Sequence, residues 1–187
     1  MAAGLMRHAA VAALLVVVLV AAACGPPGGG SPAPRTPAGT DDALRPMASL
    51  TPVVAGTFGA LRNALAPAGY RVQVLTRPYR PAEPLELSRV PRAALQVDVG
   101  DPDAGFVVIY EFDDVATARE RGGVFARYLG SGFGQTNFPL DAQFAVQQVG
   151  PTIVFSWWSR ELSAEPERAR GAFDLISAFG QPIEVRK

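Results

Sequence analysis

Gln143-Phe144-Ala145-Val146-Gln147-Gln148-Val149, Gly150-Pro151 and Thr152-Ile153-Val154-Phe155-Ser156-Trp157-Trp158 together form the stretch that decides the fold. Two runs rich in β-branched and aromatic residues meet at a Gly-Pro break, the pattern of an antiparallel hairpin. Side chains alternate across a strand, so the consecutive Trp157 and Trp158 point to opposite faces of the sheet. Ile153, Phe155 and Trp157 take one face; Val154, Ser156 and Trp158 take the other.

Toward the N-terminus lies a second hairpin, Ala94 to Val99 and Phe106 to Phe112, joined by Gly100-Asp101-Pro102-Asp103-Ala104-Gly105. Val107 and Ile109 share one side of it; Val108, Tyr110 and Phe112 share the other. Both faces are therefore apolar, where an antiparallel sheet often wets one. One arrangement places the first helix on one face and the later two on the other. In the second arrangement helices cover one face, and a ligand, a partner or a second copy covers the rest, because exposed apolar patches mark interaction sites.

Helical periodicity supplies the covering elements. Val54, Phe58, Leu61 and Leu65 fall on one face of a helix from Thr51 to Leu65, with Thr51 as N-cap and Pro52 in the first turn. Tyr70 to Thr76 reads as a strand. Asp113 or Asp114 caps a helix to about Leu129, and a last helix from Pro166 to Gly180 aligns Ala169, Phe173, Ile176 and Phe179. Hairpin plus helix thus occurs twice, and Arg121 to Phe125 (RGGVF) resembles Ala169 to Phe173 (ARGAF). The expectation is an α+β domain over residues 49–187: an antiparallel sheet of about five strands, about three helices, and two ββα units. Its size suits one domain with a real core.

Outside that domain the composition changes. Residues 24–48 are dominated by Pro, Gly and small residues, which form no core and read as a flexible tether. As a flexible coil it spans roughly 25–30 Å. Before it, residues 1–23 carry Arg7, an apolar run from Ala9 to Ala23, and small residues leading into Ala21-Ala22-Ala23-Cys24. The run is shorter than the ~20 residues of a membrane-spanning helix and reads as an export signal. Small residues ending in Cys resemble the lipobox of bacterial lipoproteins, although Ala21 stands where that class usually has a larger aliphatic residue. The resemblance covers only this N-terminal segment. It implies a lipid on the Cys24 thiol, a membrane anchor and an extracytoplasmic location; which membrane holds it depends on whether the host has an outer one. Ordinary signal cleavage after Ala23, leaving a free thiol, is the alternative.

Composition narrows the chemistry. His8 is the single histidine and falls in the signal, and Cys24 is the single cysteine. A mature chain without His or a free Cys cannot build Ser-His-Asp or Cys-His catalysis, or His/Cys-ligated zinc and copper sites. No phosphate-binding or dinucleotide-binding glycine motif occurs, and Gly130-x-Gly132-x-Gly134 follows a helix and reads as a loop. With 17 basic and 17 acidic residues, the chain lacks the basic excess of a nucleic-acid binder. No cofactor and no metal are expected. Asp98, Asp101, Asp103, Glu111, Asp113 and Asp114 fall short of a calcium loop and suit turns and caps instead.

Arg71, Arg77, Arg80, Arg89 and Arg92 lie within 22 residues whose only acids are Glu83 and Glu86. Arg forks suit anionic groups; the plainer reading pairs them with scattered carboxylates. The sequence therefore nominates a non-catalytic binding module, for a small molecule or a protein, with Arg77, Tyr79, Arg80, Tyr110 and Trp158 as its candidate surface. Burial of both tryptophans beneath helices would count against that choice. The competing class is a carboxylate-dependent cell-envelope hydrolase or transferase, requiring two acids roughly 5–9.5 Å apart in a cleft. A structural or assembly lipoprotein, forming homo-oligomers, is the third.

Overall fold

A computed structural model of the protein describes residues 50–186, which lie within one compact unit. The export signal, Cys24 and the tether lie outside the described residues. Four helices and six strands follow in the order α1 (Pro52–Leu65), β1 (Val72–Val74), β2 (Arg92–Val97), β3 (Phe106–Glu111), α2 (Val115–Gly130), α3 (Gly132–Gln135), β4 (Gln143–Val149), β5 (Thr152–Trp158), α4 (Pro166–Ser177) and β6 (Gln181–Pro182). All strands join one antiparallel sheet in the order β1-β2-β3-β5-β4-β6. The fold class is the expected α+β, with one more strand and one more helix than the sequence indicated.

The helix starts follow from their caps. Thr51 is extended and its Oγ1 accepts from Val54 N at 3.2 Å while donating to Glu111 Oε2 at 2.6 Å. One hydroxyl thus starts α1 and ties it to the end of β3; such caps contribute about 1 kcal/mol. Asp114 caps α2 through Thr117 N at 2.8 Å, and these bonds hold its carboxyl below the usual carboxylate range. Pro166 stands in the first turn of α4.

The hairpin β4–β5 forms with the expected limits, whereas β1, β2, α3 and β6 differ from expectation. The strand expected over Tyr70 to Thr76 shrinks to Val72–Val74, and that expected over Ala94 to Val99 begins two residues earlier at Arg92. The glycine-rich stretch after α2 is the short helix α3, because Ser131 Oγ caps it on Gly134 N at 3.0 Å. β6 is only two residues long and pairs with Gln147 and Gln148, too short to leave a periodic signal.

Helices cover both faces, but not as first expected: α1 and α4 share one face and α2 covers the other. The α1/α4 face buries Val54, Leu61, Leu65, Leu95, Val107, Ile109, Val154 and Trp158. The α2 face buries Val108, Tyr110, Phe125, Leu129, Ile153 and Phe155. Hairpin plus helix does occur twice. The two hairpins meet at β3–β5, yet their helices leave on opposite sides, so the repeat is one of connectivity and not of packing.

The C-terminal segment closes the α2 side. Ile183 N donates to Val146 O at 2.8 Å, and the segment then runs over α2 along Gly122, Ala126 and Gly130. A Cβ at Gly122 would strike the Ile183 side chain, and one at Gly130 would strike the Arg186 carbonyl. Small residues four apart form one stripe of a helix, and here that stripe is the bed for the tail.

Candidate functional site

The five nominated residues do not form one surface. Register alone separates two of them: Tyr110 lies opposite Ile153, and Trp158 is five residues further along the same strand. Tyr110 is fully buried on the α2 face, its ring edge-on to Phe125 at 5.7 Å. Trp158 is only 9% exposed, on the α1/α4 face. Trp157 stays half-buried on the α2 side.

Arg77 and Tyr79 do meet, over Phe106. Tyr79 stacks on that ring at 4.2 Å and the Arg77 guanidinium lies 5.5 Å from its centroid. Trp157 Nε1 donates to Tyr79 Oη at 3.4 Å, and burial raises the Tyr79 phenol above its ordinary value. Arg77 also donates to Pro102 O at 2.8 Å and pairs with Asp103 at 3.3 Å.

Arg80 belongs to a different cluster, centred on Glu83, one of the two acids among the clustered arginines and not a nominated site residue. Glu83 is 1% exposed at its side chain and receives Arg92 Nη1 at 2.7 and 2.6 Å, Arg80 Nε at 2.9 Å and the Tyr110 hydroxyl at 2.6 Å. Arg92 further donates to Ser88 O at 2.8 Å. Burial, with Glu83 accepting its proton, pushes the Tyr110 phenol well above the ordinary tyrosine value. This network pins the Pro-rich segment against β2 and β3. Two of the five clustered arginines are thus structural pairs; the clue was Glu83 among four prolines, in a segment too irregular to read.

A concave, mainly apolar site lies elsewhere, between α4 and the end of the sheet where β2 and β5 finish and β3 begins. It is a cavity of about 250 Å3. Val97, Val99 and Trp158 form its sheet wall, and Ala169, Ala172, Phe173 and Ile176 of α4 form its roof. Trp158 and Phe173 lie 6.2 Å apart between centroids. The mouth runs between the Asp101–Gly105 turn and the β5–α4 loop, where Leu162 is 63% exposed.

Polar groups around it are mostly satisfied internally. Ser156 Oγ bonds Phe106 O at 3.2 Å, Ser159 Oγ bonds Asp141 at 2.5 Å, and Ser163 Oγ bonds Ser159 O at 2.6 Å. One donor is not: Trp158 Nε1 is buried with no hydrogen-bond partner. Gln147 Oε1, on β4, is likewise buried and unpartnered but lies outside the cavity lining. A buried indole N–H usually finds an acceptor.

The acidic residues weighed for calcium and for hydrolysis are scattered. Asp101 Oδ1 accepts from Asp103 N at 2.8 Å within one turn, Asp114 caps α2 and Glu111 serves Thr51. Among the described residues, no group of three or more His, Cys, Asp or Glu is arranged to hold a metal ion. Asp101 and Asp103 are the acids that line the cavity, both on one turn at its mouth. No protein-family model matches this chain, and no curated protein or solved structure gives a significant match.

Proposed function

We propose that the protein is an extracytoplasmic lipoprotein, tethered through Cys24, whose domain is a non-catalytic binding module with its ligand chamber beneath α4. The cavity carries this reading. It is concave, walled mainly by apolar side chains and fringed by a few polar groups, the makeup of small-molecule sites. Its apolar walls enclose about 250 Å3 open to solvent at the mouth, so a ligand that enters takes apolar surface out of water. The anchor part of the proposal rests on the small residues leading into Cys24.

Thermal-shift screening of small molecules against the full chain and an Ala172→Leu variant tests the chamber. Ala172 lines the roof, so leucine there intrudes on the space. A ligand at about a thousand times its Kd stabilises the native chain by about 4 kcal/mol. That shift should shrink or vanish in the variant; an equal shift in both chains places the site elsewhere. Separately, Cys24→Ala should move the chain from the membrane to the soluble fraction and abolish lipid labelling.

A further inference from the structure

We infer that the chamber beneath α4 selects an uncharged, mainly hydrocarbon ligand bearing a hydrogen-bond acceptor, which Trp158 Nε1 meets, and discriminates against anionic amphiphiles. This rests on the chamber reading above and adds the chemistry of the occupant.

The walls set the body of the ligand. Val97, Val99, Ala172, Phe173 and Ile176 offer no hydrogen bond, so whatever reaches the interior presents hydrocarbon to them. The chamber exceeds the ~150 Å3 engineered apolar cavity that holds benzene, so a short alkyl or aryl group fits.

The orphan donor sets the polar handle. The Trp158 ring is part of the wall, and its Nε1 is buried without a partner. A buried donor left unmade costs about 1–3 kcal/mol. The serine hydroxyls near it donate to Phe106 O, Asp141 and Ser159 O, and none of them accepts from that N–H. A ligand carbonyl or ether oxygen entering the chamber supplies the acceptor after a small turn of the ring.

The mouth sets the charge. No lysine, arginine or histidine lines the cavity, whereas Asp101 and Asp103 do. The Glu165 carboxylate adds to them, lying against Gly100 beside the same turn. The cations nearby are already engaged: Arg77 bonds Pro102 O and Asp103, Arg160 of the β5–α4 loop pairs with Glu167, and Arg168 donates to Asp98 O. An entering carboxylate or phosphate would lose water beside like charges and gain no cationic partner, a combination that opposes binding.

Trp158 is part of the chamber wall, so intrinsic fluorescence of the full chain reports on it directly. The titrants are methyl octanoate, octanol, octylammonium, octanoate and octane at neutral pH, with native chain, Ala172→Leu and Trp158→Phe. Methyl octanoate and octanol should bind on the order of tenfold more tightly than octanoate, and octylammonium should fall between. Trp158→Phe, read by calorimetric titration, should weaken the ester and alcohol by roughly two- to tenfold and leave octane unchanged.

Octanoate binding as tightly as the ester overturns the charge selectivity while leaving the chamber intact. Equal losses for ester and octane in Trp158→Phe assign Trp158 to packing and overturn its donor role. Absence of saturable binding by every titrant, or binding indifferent to Ala172→Leu, overturns the chamber reading and this inference with it.

Discussion

The two faces of the sheet are built from the same strands and packed in different ways. Over the α2 face, Tyr110, Phe125 and Phe155 are essentially fully buried, and the Phe125 and Phe155 rings lie 4.7 Å apart. Over the α1/α4 face, the residues between sheet and α4 include Ala93, Ala145, Ala169 and Ala172, and about 250 Å3 stays open. Large aromatic side chains fill the first gap; small ones leave the second ajar. One antiparallel sheet thus supports a sealed side that carries stability and a looser side that carries the candidate site.

The sharpest way to break the sealed side is at Glu83. Glu83→Ala leaves Arg92, 7% exposed at its side chain, without its carboxylate and removes the acceptor of Tyr110. Breaking a buried pair this way costs about 3–5 kcal/mol. Chemical denaturation should show that loss, and a change below 1 kcal/mol would mean the clamp is dispensable.

A matched pair of substitutions tests the contrast itself. Ala118 is fully buried under α2, while Ala172 faces the chamber. Ala118→Leu should destabilise by about 1–3 kcal/mol through overpacking. Ala172→Leu should be neutral or stabilising in the ligand-free chain, because its methyls enter open space. Equal destabilisation by both would erase the distinction between the faces.

Gly130→Ala probes the tail that completes the α2 side. Alanine improves helix propensity by up to about 1 kcal/mol, but its methyl meets the Arg186 carbonyl. The expected result is faster hydrogen exchange and proteolysis at Ile183 to Arg186, with little net change in global stability. Unchanged protection there would show that α2 shifts to accept the methyl.

The smallest effect concerns acid at the chamber mouth. The Ser159 hydroxyl, followed by Glu161 N–H, holds the half-buried Asp141 carboxyl below its ordinary value of 3.8. A carboxyl depressed in the folded state adds stability above its unfolded value, and loses it as pH falls through the folded one. Tryptophan fluorescence should report loosening of the β5–α4 loop in that acid window. Asp141→Asn should flatten that response; an unaltered acid titration would detach Asp141 from the loop's order.

How legible all this was differs by element. The caps at Thr51 and Asp114, the hairpin Gln143 to Trp158 and the stripe of α4 are local patterns, and each is where the sequence put it. β6 escaped notice because two residues carry no period, and its pairing depends on Gln147 and Gln148 more than thirty positions away. Glu83 was visible only as an acid among arginines; its burial depends on β2 and β3 arriving beneath it.

By itself the sequence determined the α+β class, the alternation that sends Trp157 and Trp158 to opposite faces, and the absence of histidine beyond His8. These are properties of composition and of periods of two and 3.6 residues. Tertiary structure alone decided which helix covers which face, and the β3–β5 register that sets Tyr110 opposite Ile153 and so on the other face from Trp158. It also decided that the space left over lies beneath α4. Packing joins residues distant in sequence, and a cavity is the volume that several separate elements together fail to fill. No local pattern encodes it.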